Sequence, residues 1–144
     1  MTIAFTGHAL ISSHDTVKEV VKEQMRNNIP RGEAVLCYLG GYGDFDEICA
    51  QACGELKKEG AKIEAVFVTP YITLSQQEKI KEMQKNGFYD QSIYPPLENV
   101  PPRFAISKRN EWMMENADLV IAYVGRHYGG AYRSLQVAKR RNKK

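Results

Sequence analysis

Glycine is concentrated at two points of the chain, each between an apolar run and an amphipathic one. In "LGGYGDFDEICAQAC" (39–53), Gly40, Gly41 and Gly43 stand just before Asp44, Asp46 and Glu47. In "GRHYGGAY" (125–132), Arg126 and His127 precede Gly129 and Gly130, and Tyr132 and Arg133 follow. A backbone without β-carbons can approach a ligand closely, and free amides at a helix start attract an anion. Gly129 and Gly130, with Arg126, Arg133 and Arg109 to add charge, are the better phosphate cradle. The acids of the first stretch suit a different task, accepting hydrogen bonds from sugar hydroxyls. Plainer accounts compete with both: a tight turn with acids complementing the helix dipole, and an ordinary loop with solvated arginines. One of the three acids is expected to cap and one to face a ligand.

Further candidates follow apolar runs in the same way. Gly7 and His8 come after "TIAFT", and Thr69-Pro70 after "KIEAVFV". His8 reads as a hydrogen-bonding contact rather than a catalyst, and His14 as a surface residue at a helix start. Arg103, at the end of "YPPLENVPPRF", is a candidate anion contact. Tyr42, Tyr71, Tyr123, Tyr128 and Tyr132 fall where a base could stack, a contact worth on the order of 1 kcal/mol. Trp112 and Met113 read as core. Cys37, Cys49 and Cys53 lie in apolar-patterned segments with no His at ligand spacing, so buried thiols are expected and neither a metal nor a cofactor is.

These residues need elements to hold them. The periodicities predict strands at 2–6, 34–39, 62–68 and 118–124, and a short one near Ile93. Helices are predicted over 15–26, with Val17, Val20, Val21 and Met25 inward and a Thr16/Glu19 capping box, and from Phe45 to a stop at Gly60. A further helix opens at a Ser75/Glu78 capping box, with Ile80 and Met83 inward and Gly87 closing it. Two more cover "AISKRNEWMMENA" and the stretch from about Ala131. Strands that are apolar on both faces and alternate with helices describe an α/β fold: a mostly parallel sheet of about five strands with helices on both faces. Such sheets bind ligands beyond the carboxyl ends of their strands, which gathers the loops after residues 6, 39, 68 and 124 on one rim.

The 144 residues fit a single domain, with 43% apolar and 26% charged side chains. The formal charge of +3 is concentrated in a basic tail, residues 139–144 (KRRNKK). Without it, 15 basic side chains face 17 acidic ones, a net of −2. That balance gives nucleic acid little support as a partner, and a solvated helix end accounts for the tail. No apolar run suits a membrane span and the first residues lack a signal-peptide pattern, so a cytoplasmic protein is expected.

The ordered segments "TIAFTGH", "LGGYGDFDEICAQAC", "IEAVFVTPYI", "RFAISKRNEWMMENADLVIAYV" and "GGAY" together resemble the SLOG superfamily over nearly the whole chain. That Rossmann-like, three-layer group includes YpsA-type proteins and relatives of the LOG and DprA families, and the similarity is to its small stand-alone bacterial and phage members. The resemblance implies a ligand derived from a nucleotide, a nucleoside monophosphate or an ADP-ribose type. It implies a role as sensor, carrier or sequestering module, including in signalling or antiviral defence, and a homodimer or higher homo-oligomer. Two other branches imply alternatives: a nucleotide N-glycosidase (phosphoribohydrolase or deoxyribosyltransferase-like), and a DprA-like binder of single-stranded DNA. Arg109 matches the upstream Arg of the LOG signature, and Gly129-Gly130 its glycine pair. Leu135 and Gln136 then stand where its glutamates would be, and Ala9 where YpsA-like proteins have Arg. A neutral amide is no general base, so an enzyme here would have to recruit Asp46 or Glu47. Relatives of this fold also carry one more strand, leaving a sheet edge that a partner subunit could cover.

Overall fold

The computed structural model describes residues 1–8, 10–40, 43–69, 78, 81–82, 85, 89–95, 100–124 and 130–140. Its elements are β1 (Thr2–Gly7), α1 (His14–Asn28), β2 (Val35–Leu39), α2 (Asp44–Lys58), β3 (Ile63–Val68) and β4 (Gln91–Ile93). A 3-10 turn (Pro102–Phe104), α3 (Ala105–Glu115), β5 (Leu119–Tyr123) and α4 (Gly130–Arg140) complete it. Glu78, Lys81, Glu82 and Lys85 are helical. The expected roles of Ser75, Ile80, Met83 and Gly87 lie outside the described residues.

All five strands are parallel, in the order β4-β3-β2-β1-β5. Alternation along each strand divides the core in two. Ile3, Phe5, Val35, Cys37, Leu39, Ile63, Ala65 and Phe67 pack with α1 and α2, burying Val17, Val21, Met25, Phe45, Ile48 and Leu56. Ala4, Val66 and Val68 point the other way, onto Met113 and Met114 of α3 and Val137 and Ala138 of α4. Each fully buried side chain of this size contributes roughly 1.5–3 kcal/mol, so both faces must be covered for the sheet to persist. The result is the three-layer, Rossmann-like α/β architecture that the pattern predicts. Among the described residues no helix is long and apolar enough to cross a membrane.

Two details differ from the sequence pattern. Helix α1 begins at His14 with Ser13 as its N-cap, and no side-chain cap bond forms, so the Thr16/Glu19 box is not used. Val20, expected inward, is 52% exposed. The stripe facing α2 is narrower than the run of valines suggests, because Lys22 is buried at that interface instead and reaches Glu55 and Glu59, 3.6 Å away each. Gly60 ends α2 at φ 101°, as its stop role requires. Cys37, Cys49 and Cys53 are free and buried, as expected. The neighbouring Cys53 thiol and burial push Cys37 up, and burial does the same to Cys49, so both stay protonated and inert near neutral pH.

Candidate functional site

The strand order reverses between β1 and β5: the chain adds β2, β3 and β4 on one side of β1, then returns to place β5 on the other. The carboxyl ends of those two strands therefore flank a topological switch point, the usual binding crevice of open parallel sheets. His8 sits there. Its amide donates to the Tyr123 carbonyl (3.3 Å), and its ring meets the Tyr123 ring edge-on at 5.9 Å. Phe45 stacks on the same tyrosine at 6.1 Å. Tyr123 remains 42% exposed, so its ring offers a surface at the crevice.

The start of α2 is fitted tightly into this corner. The Phe45 amide donates to the His8 carbonyl at 3.4 Å. A β-carbon on Gly7 would lie 2.3 Å from Phe45 Cγ, so this glycine makes room for α2. Gly43, the N-cap, has φ 95°, a conformation that favours glycine. Asp44 turns back rather than outward: its Oδ2 accepts the Ile11 amide (2.8 Å) and lies 3.2 Å from His14 Nε2. No side-chain cap bond forms at the start of α2, so the expected capping acid is not seen, and Asp44 holds the β1–α1 loop instead. His14 stands at a helix start as expected, but engages Asp44. Glu47 is exposed and accepts from Gln51 Nε2 at 3.5 Å.

Asp46 faces the neighbouring strand end. A β-carbon on Gly40 would be 3.1 Å from Asp46 Oδ2 and 3.3 Å from Arg109 Nη2, which sets a carboxylate and a guanidinium side by side over the end of β2. Arg109 is 2% exposed. Its Nη1 donates to the Gly40 and Val68 carbonyls, both at 2.8 Å, and its Nε to Asn110 Oδ1 at 2.9 Å. The sequence suggests an anion contact. The guanidinium ties the ends of β2 and β3 to α3. Thr69, next along β3, is buried and donates its amide to the Ile93 carbonyl at 3.0 Å.

Gly7, His8, Gly40, Gly43, Asp46, Thr69 and Arg109 thus belong to one rim. Arg103 is exposed in the 3-10 turn, its guanidinium 4.8 Å over the Phe104 ring. Gly130 is the first residue of α4 and Tyr132 lies in its first turn. Gly41, Tyr42, Pro70, Tyr71, Arg126, His127, Tyr128 and Gly129 lie outside the described residues. Sequence reasoning missed Tyr89, buried against Phe67 at 5.2 Å. Burial, and then the nearby Asp46 charge, push its hydroxyl well above the usual tyrosine range. Its only signal was an aromatic before the short β4 strand.

The Asp44 contact makes a pH prediction. The Ile11 amide first, and then His14, hold its carboxyl below the ordinary value of 3.8. A depressed carboxylate stabilises the fold above its unfolded pKa, and loses that contribution as pH falls through the folded one. Asp44→Asn keeps an acceptor but removes the charge. It should melt below the parent at pH 7, and the two melting curves should converge as pH falls through the lowered pKa of Asp44 and the carboxyl is neutralised.

No protein-family model matches the chain, and no curated protein matches it. What fold and rim define is therefore a class, a Rossmann-like parallel α/β protein with a topological switch point between β1 and β5.

Proposed function

We propose that this chain binds a nucleotide-derived small molecule, a nucleoside monophosphate or an ADP-ribose-type ligand, at the carboxyl-end rim of its sheet. It acts as a SLOG-like sensor, carrier or sequestering module, and it works as a cytoplasmic homodimer. The observation that carries this reading is the topological switch point between β1 and β5, with His8 and the exposed Tyr123 ring at its carboxyl end and Asp46 at the neighbouring strand end. An aromatic face suits a base, and a carboxylate acceptor suits ribose hydroxyls. Gly130, the first residue of α4, and Gly129 before it in sequence suit the phosphate.

Calorimetric titration with AMP and ADP-ribose tests it. Binding of either is expected, with Asp46→Asn altering preference for ribose over deoxyribose more than overall affinity. No heat with either ligand at high micromolar protein would end the proposal. Chromatography of the same mixtures, with NAD added, separates binding from N-glycosidic cleavage: intact ligand after incubation supports the binding module, and released base supports an enzyme using Asp46 or Glu47. Salt-dependent retention of single-stranded DNA would favour the DprA-like alternative.

A further inference from the structure

We infer that the outer edge of β5, with the groove between it and α1, is the surface on which a second copy of this chain docks. The inference rests on the homodimer reading and adds where the contact lies. Strand β5 ends the sheet, and among the described residues it pairs with β1 alone. The His8 amide donates to the Tyr123 carbonyl and Ile3 is in register with Leu119, so the alternation of the parallel ladder turns Leu119, Ile121 and Tyr123 toward β1 and the Val120 and Ala122 amides toward the open side. The strand reads LVIAY, with none of the lysines, prolines or charges that commonly block an edge.

Beside this edge lies a groove of about 540 Å³ between α1 and β5, with Val17, Val20, Ile121 and Tyr123 in its walls. Thirteen residues line it and none is charged, in a chain 26% charged. Val20, in the α1 wall, is a large apolar side chain 52% exposed.

Charge and backbone chemistry select the occupant. A free strand edge is satisfied by another extended edge, which this chain itself possesses. A two-fold axis sets a patch against itself, so a charged patch would repel its copy and a neutral apolar one does not. Antiparallel pairing of β5 with β5 about an axis normal to the sheet joins two five-stranded sheets into one of ten strands. It brings both α1 helices to the same face of the seam, closing the two grooves against each other.

Sedimentation velocity on the whole chain from low to high micromolar concentration tests this, with a doubling of the 16.3 kDa mass expected. Val20→Glu should raise the dimer dissociation constant at least about tenfold by setting like charges across the axis. Val20→Lys should do the same, and mixing the two variants should restore a dimer. Both replace an exposed side chain, and circular dichroism melting checks that each is folded. Exchange of the Val120 amide should slow as concentration rises. A parent chain that stays monomeric overturns the homodimer reading and this surface together. A dimer untouched by both Val20 variants, with Val120 exchange independent of concentration, overturns the surface alone.

Discussion

Gly7→Ala is expected to destabilise the protein by roughly 2–4 kcal/mol, at and beyond the upper end of ordinary overpacking. The new methyl would lie 2.3, 2.4 and 2.7 Å from Phe45 Cγ, Cδ2 and Cβ, distances real β-carbons do not tolerate. Relief would need Phe45 to move. It is 1% exposed, between the end of β1 and Tyr123, and its own amide is tied to the His8 carbonyl. Moving it shifts the first turn of α2, with Asp44 and Asp46 on it, so the crevice would be distorted as well. In a domain of this size the melting temperature should fall on the order of 10 °C. Gly7→Ala combined with Phe45→Leu should recover part of the loss, since the clash is with the ring. Gly54→Ala is the control: it lies in α2 with nothing within 4 Å of its would-be β-carbon, and should stabilise by about 0.5–1 kcal/mol. Equal melting temperatures for Gly7→Ala and the parent would show that α2 does not seat as described.

That contrast shows where the sequence is informative. Strands buried on both faces leave continuous apolar runs, so β1, β2, β3 and β5 and their parallel arrangement are legible. The rim is legible too, because carboxyl ends of parallel strands share one side. What each rim residue does is not, since its partners are distant in sequence. Gly7 reads as a place for a ligand, whereas the group approaching it is the chain's own Phe45. Asp44, Asp46 and Glu47 are indistinguishable as a run of acids, and only the fold assigns Asp44 to the Ile11 amide and Asp46 to the corner of Gly40 and Arg109. The Thr16/Glu19 pattern is a valid local cap, but α1 starts two residues ahead of Thr16, where His14 meets Asp44. Val20 fits a helical stripe of four, yet only Val17, Val21 and Met25 of that stripe are buried.

Arg109 carries the other large expectation. An arginine on a helix ahead of a strand is ordinarily a solvated charge, and Arg109→Ala would then weaken anion binding and leave the melting temperature alone. With the guanidinium 2% exposed and bridging two carbonyls, the outcome changes. One acceptor is 69 residues away in sequence and the other 41, so a single side chain fixes the spacing of two strand ends against α3. Hydrogen bonds from a charged donor are worth about 1.5–3 kcal/mol each, and removing one member of a buried charged cluster costs about 3–5 kcal/mol. Arg109→Ala should therefore lower stability by about 3–5 kcal/mol in urea titration, as a shift of midpoint with little change in slope. Arg109→Lys should recover less than half, because a single ammonium on a flexible stem does not reproduce the planar fork that reaches both carbonyls and Asn110. Ligand affinity should fall in both variants, since Gly40 and Asp46 lose the group that sets their corner. An Arg109→Ala protein with the parent's midpoint and only weakened binding would return the guanidinium to the role of a direct anion contact.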